Sequence, residues 1–244
     1  DAGLAERAVD RLVEALAGRG DPASAVEVIE QELAERSRRT ESRPKKGDPL
    51  VVRRSEQHRR AAKLWNDALG RVDRALWHWQ QAWRLEPHRT DALEEARNLY
   101  ASLGDDAMVA KLYRAELEVL GAGGPAERRA RLHYELGKTA MRAKDFAAAV
   151  AELEEAVRLE PHSTQLRETL AEAHALSGKG PDAVRRASEL YVELGRSRLE
   201  RDDATGIQLL RRAVGVDPTS SSGTKALEQA LYTARRWRDL DRLL

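Results

Sequence analysis

The sequence predicts an all-α fold, an α-solenoid of stacked antiparallel helix pairs with no strand, and three observations predict it. The string RLEPHRT at residues 84–90 returns as RLEPHST at residues 158–164. Near-identity over such a stretch marks duplication, so the chain reads as an array of repeated units. A frame of two small residues and a proline recurs three times, as Ala75, Ala82, Pro87, as Ala149, Ala156, Pro161, and as Gly206, Ala213, Pro218. Finally, aromatic residues make up only 5% of the 244 residues and charged residues of both signs 34%, with Ala, Leu, Arg and Glu abundant. These residues form helices well and strands poorly.

From the N-terminus, the spacing predicts helices near 2–18 and 22–39. The second of these, GDPASAVEVIEQELAE at 20–35, echoes GDDAMVAKLYRAELEV at 104–119. Residues 40–49, TESRPKKGDP, interrupt the array, because Pro44, Gly47 and Pro49 prevent a continuous helix. The chain therefore divides into an N-terminal helix pair (1–39), a basic connector (40–55) and a repeat array (56–244). In that array, residues 90–120 place Leu93, Ala96 and Tyr100 on one helix and Val109 and Tyr113 on the next, with a turn at Gly104-Asp105. The loop from Gly121 to Pro125 adds length between the two heptapeptides.

The clearest unit is 131–161. Leu132, Leu136, Ala140 and Ala143 form one helix-spaced stripe, and Phe146, Ala149, Val150, Leu153, Ala156 and Val157 a second. Pro161 ends the second helix, since the residue before a proline disfavours helical angles. Residues 163–177 predict another helix, and Pro181 to about Arg201 one long helix whose pairing phase is open. Residues 219–244 read as a unit cut short after Trp237. About twelve helices are expected in all.

The 131–161 unit resembles a tetratricopeptide repeat, whose pattern of Trp, Leu-Gly, Tyr, Ala, Phe and Pro runs over about 34 residues. Leu136-Gly137 fills the Leu-Gly pair, Ala149 and Ala156 the small places of the second helix, and Pro161 the end. His133, Ala140 and Leu153 stand where the family has Trp, Tyr and Phe. The resemblance implies a right-handed superhelix with a concave face, a non-catalytic role, and a peptide or partner protein lying along the first helix of each pair. The residues it assigns to that groove are Arg131, Tyr134, Lys138, Met141 and Arg142 in one unit, Gln165, Glu168 and Glu172 in the next, and Asp91, Glu94 and Asn98 in the preceding one. The Lys/Asn pattern with which some members clamp a C-terminal carboxylate is not reproduced.

Composition narrows the function classes. Formal net charge is +1, so no global field favours nucleic acid or an anionic membrane. Cysteine is absent, which excludes disulfides and thiolate chemistry. No apolar run approaches the roughly 18–20 residues that span a bilayer. A cytoplasmic location is the expectation. The chain begins at Asp1 and ends at Leu244 within helical patterns, so it reads as a piece of a longer protein. Arg outnumbers Lys and Ala is abundant, as in proteins of GC-rich bacterial genomes.

Two further features carry alternatives. Between Arg36 and Arg60, Arg36, Arg38, Arg39, Arg43, Lys45, Lys46, Arg53, Arg54, Arg59 and Arg60 face three acids, Glu41, Asp48 and Glu56. Such an excess reads either as a wet linker or as a nucleic-acid contact through Arg53, Arg54, Arg59 and Arg60. Trp65, Trp77, Trp79 and Trp83 form a cluster in which Trp79 falls at a packing place, while Trp77 is offset and open to partner contact. The histidines show no metal-ligand spacing, and neither a P-loop nor a G-x-S-x-G string is present, so neither a cofactor nor a metal is expected. A self-assembling structural spacer is the third reading of the array, with a homo-oligomer as its consequence.

Overall fold

The structure is a computed structural model that describes residues 2–39, 47–178 and 180–243, with the backbone alone at residues 2 and 37–39. Every regular element among the described residues is helical. The chain divides into two compact units, one ending at Leu112 and the other beginning at Tyr113.

Unit 1 holds α1 (Ala2–Gly18), α2 (Pro22–Arg39), α3 (Pro49–Lys63), a short π-helical turn (Leu64–Ala68), α4 (Val72–Leu85), α5 (Asp91–Ser102) and the start of α6 (Asp106–Leu120). Unit 2 holds the rest of α6, then α7 (Ala126–Arg142), α8 (Phe146–Leu159), α9 (Thr164–Ser177), α10 (Pro181–Leu199), α11 (Asp203–Val216), α12 (Ser221–Thr233) and the short α13 (Trp237–Asp241). The first two helices match their expected bounds. The helix count rises to thirteen among the described residues, because α13 and the connector's end are helical too. Pro49 starts α3 rather than preventing helix, with Asp48 capping it through Leu50 N–H at 2.9 Å. Proline suits the first helical position, where its missing N–H is not needed. The remainder of the expected connector, residues 40–46, lies outside the described residues.

The turns between paired helices share one construction. Gly20, Gly104, Lys144 and Arg235 adopt left-handed angles. The N–H of the next residue returns to the carbonyl five positions back, as Asp21 to Leu16 at 3.0 Å, Asp105 to Tyr100 at 2.9 Å, Asp145 to Ala140 at 2.9 Å and Arg236 to Leu231 at 2.9 Å. This is the Schellman closure of a helix end. In three of these turns the following Asp then caps the next helix, Asp145 accepting from Ala148 N–H at 3.1 Å for example.

Packing bears out the small-residue frame. Ala75, Ala82, Ala149, Ala156 and Ala213 are fully buried. A Cβ on Gly137 would lie 2.6 Å from Leu153 Cγ, so only glycine lets α7 and α8 approach. Gly195 repeats this against Leu210 Cγ at 2.8 Å. Leu194-Gly195 is thus a second Leu-Gly pair, joining α10 to α11 as Leu136-Gly137 joins α7 to α8. That answers the open phase: α10 packs on α9 but most extensively on α11. The repeated heptapeptide forms the seam between one helix pair and the next, from the end of α4 to α5 and from the end of α8 to α9. Thr90 sits at the cap position of α5 but its side chain does not cap the helix, whereas in the second copy Ser163, not Thr164, caps α9.

Candidate functional site

The basic stretch turns inward. Arg53 grips Asp10 with two hydrogen bonds, at 2.7 and 2.9 Å, and donates through Nε to Glu32 at 3.2 Å. Arg60 also reaches Asp10, and Arg36 joins Glu6 at 2.8 Å and Glu32 at 2.9 Å. The Arg53 hydrogen bond outweighs burial and holds the Asp10 carboxyl below its usual range. Arg59 is only 4% exposed. It donates to Glu86 at 3.1 Å and forms a fork on Asp91 at 3.0 and 3.1 Å, the bidentate geometry that guanidinium favours. Arg54 is half-buried, and its Nε has no hydrogen-bond partner among the described residues. Arg53, Arg59 and Arg60 therefore serve as internal ties between helices, in place of the outward phosphate-contacting patch their run suggests. Arg43, Lys45 and Lys46, with the side chains of Arg38 and Arg39, lie outside the described residues.

The tryptophans divide as expected. Trp79 is 3% exposed and Trp77 51%. Trp65 donates from Nε1 to Glu30 at 3.1 Å. Asn98 is exposed on α5 of unit 1.

In unit 2, α7 and α9 bring part of the expected groove set together. Tyr134 Oη accepts from Gln165 Nε2 at 3.0 Å, and the Lys138 ammonium sits 5.1 Å from the Tyr134 ring centre, a cation–π arrangement. Arg131 and Arg142 are exposed, and Arg142 donates to Thr139 Oγ1 at 3.2 Å. Met141 is partly buried against the core. Glu168 is ion-paired with Arg212 of α11 at 3.1 Å.

Sequence reasoning missed a second feature of this unit. Between α10 and α12 lies a cleft of about 290 Å³ lined by Arg196, Leu199, Asp203, Lys225, Ala226 and Gln229, among others, and its exposed surface is mostly apolar. Arg196 follows Leu194-Gly195 as Lys138 follows Leu136-Gly137, so the string E-L-G-R against E-L-G-K was the available signal. Among the described residues, no three acidic or histidine side chains gather in a metal-holding arrangement, and no helix is long and apolar enough to cross a membrane.

The chain matches no family model and no curated protein. Solved structures do resemble it. A crystal structure of MamA protein aligns at 14% identity over 76% of this chain and 94% of that one, with a TM-score of 0.51. MamA from Desulfovibrio magneticus RS-1 aligns at 16% identity over 79% and 96%, TM-score 0.43. YrrB, titled a TPR protein with an unusual peptide-binding site, aligns at 17% over 70% and 91%, TM-score 0.41. The Leu-Gly pairs, the small-residue frame and the all-helical build, together with the alignment at a TM-score of 0.51, give the chain the tetratricopeptide-repeat fold.

Proposed function

We propose that the chain is a non-catalytic protein-interaction scaffold that holds a peptide or a segment of a partner protein on the helix faces of unit 2. The cleft between α10 and α12 carries this reading. Leu199, Ala226 and Ala230 offer an apolar floor, while Arg196 and Lys225 stand exposed at its walls and form no ion pair among the described residues. An apolar side chain flanked by a carboxylate fits such a lining. The cleft's volume suits an anchoring side chain better than a drug-sized ligand buried on all sides. On α7, exposed Arg131 and the Lys138–Tyr134 pair supply a second place for an acidic peptide group.

Binding to an array of short random peptides tests this. Peptides selected by the wild-type chain should lose about tenfold or more in affinity to an Arg196→Ala/Lys225→Ala variant, as expected when a charged hydrogen bond worth roughly 1.5–3 kcal/mol is removed. An Arg131→Ala/Lys138→Ala/Arg142→Ala variant probes α7 in the same way. If every selected peptide bound both variants as tightly as wild type, the helix-face reading of unit 2 would be wrong.

A further inference from the structure

Inside unit 1, two histidines twenty positions apart meet ring to ring. His58 of α3 and His78 of α4 are 6% and 1% exposed, and their Nδ1 atoms lie 3.0 Å apart. His78 Nε2 lies 3.2 Å from Glu30 Oε1 of α2, which also accepts the Trp65 indole N–H. These contacts order the protons. A carboxylate only accepts, so His78 carries its proton on Nε2 and presents a bare Nδ1. His58 must then donate from Nδ1, which leaves His58 Nε2 without a proton. One proton therefore joins the two rings.

We propose that the His58–His78 pair is an acid-operated latch on the α3–α4 seam, closed when both rings are neutral and opened by proton uptake. A proton added at His78 Nδ1 would set two N–H groups head to head at the pair's 3.0 Å spacing and break the link. A proton added at His58 Nε2 keeps the link but leaves an imidazolium in a buried site beside the Arg54 guanidinium. Burial first, then His78 and Arg54, push the His58 imidazole down to about 3. Burial also depresses His78, with Arg74 adding to it, and these together outweigh the Glu30 carboxylate that favours its charge. The charged groups facing the pair are thus Glu30 from α2, Arg54 from α3 and Arg74 from α4. Folded, the pair resists protonation, whereas the open chain takes up protons as pH falls through about 6.5. Closure is therefore complete above that pH and is lost progressively below it. The exposed Trp77 ring stands edge-on to both imidazoles, its centre 4.8 Å from His78 and 5.7 Å from His58, so opening also releases this ring.

Hydrogen exchange of the whole chain at pH 7.5, 6.5 and 5.5, corrected for the intrinsic pH dependence of exchange, tests the latch. Protection of α3 and α4 should fall by up to about tenfold per pH unit for each histidine below pH 6.5. A His58→Phe/His78→Phe variant should show no such fall. Should that variant not fold, His58→Gln keeps an N–H donor toward His78 Nδ1 and removes one titrating ring, and it should halve the pH dependence. Equal protection of wild-type α3 and α4 at pH 5.5 and 7.5 overturns the latch, as does an undiminished fall in either variant.

Discussion

Glu86 and Glu160 hold the same place in the two copies of the repeated heptapeptide, and their backbones are nearly superimposable, with φ/ψ of −133/74 and −131/76. Each N–H returns to the alanine four residues back, at 3.1 and 3.0 Å. Their surroundings differ sharply. Glu86 is 5% exposed and paired with Arg59, while Glu160 is half-buried and has no ion pair among the described residues. The string therefore encodes the seam between helix pairs, and residues outside it set the environment. The same contrast runs through the two units. Unit 1 ties α1 to α5 with Arg53, Arg59 and Arg60 on Asp10, Glu32, Glu86 and Asp91. Unit 2 fills its interior chiefly with a large apolar cluster, from Ala149 on α8 to Leu231 on α12, beside a smaller one at Ala130, Ala156 and Leu166.

The largest way to break this comparison is Arg59→Ala. It leaves the buried Glu86 facing only the more exposed Arg89 and His88, at 3.7 and 4.0 Å, and breaking a buried pair from one side costs up to about 3–5 kcal/mol. Glu160→Ala, its counterpart in the repeat, should stay within about 0.5 kcal/mol, as surface changes usually do. Urea unfolding followed by circular dichroism reads both. Equal losses would show that the two seams are energetically alike despite their different partners. An Arg59→Met/Glu86→Leu double variant should recover most of the stability, because well-packed apolar replacements of an ion pair are often neutral.

A smaller effect sharpens the equivalence inside unit 2. Gly137→Ala and Gly195→Ala each force a methyl against a leucine, Leu153 and Leu210, with a backbone carbonyl at 3.3 and 3.1 Å behind it. Overpacking of this kind costs about 1–3 kcal/mol. Matching losses in thermal or chemical unfolding would establish Leu194-Gly195 as the true partner of Leu136-Gly137. A neutral Gly195→Ala would return α10 to the role of second helix to α9.

What the sequence made legible follows from the range of the physics involved. Helices, turns and packed alanines depend on neighbours within a few positions, so Ala82, Ala156 and Pro161 declared them, and the bounds of α1 and α2 could be read directly. The Leu194-Gly195 pair was obscured because α10 lacks an internal break and Gly206 replaces the alanine of the frame; Leu199 crowds that place, with its Cγ 2.8 Å from where a Cβ would sit. The fate of the arginines was beyond reach. Arg59 meets carboxylates 27 and 32 positions away, and each of those, Glu86 and Asp91, looks like any other surface acid along the chain. The His58–His78 link was hidden likewise, since the rings lie twenty positions apart on different helices. On α7, Tyr134 and Lys138 could be assigned to one face, but the cleft at Arg196 and Lys225 needed the α10–α12 packing.

The smallest expected effect concerns the turns that both units share. Gly20 and Gly104 of unit 1 adopt left-handed angles freely, whereas Lys144 and Arg235 of unit 2 hold φ of 59° and 54° with a Cβ present. A side chain in that region strains the backbone by roughly 1–2 kcal/mol. Glycine removes the strain but also loosens the unfolded chain, which returns part of the gain. Lys144→Gly should therefore stabilise by about 0.5–1 kcal/mol, a rise of a few degrees in melting temperature at most. Lys144 is exposed and forms no ion pair among the described residues, so no contact opposes the gain. A Gly104→Lys exchange in unit 1 runs the comparison backwards and should destabilise by a similar amount. If Lys144→Gly instead lowered the melting temperature, the Lys144 side chain would have to contribute more than its backbone strain, and the two units would differ at their turns as well as in their interiors.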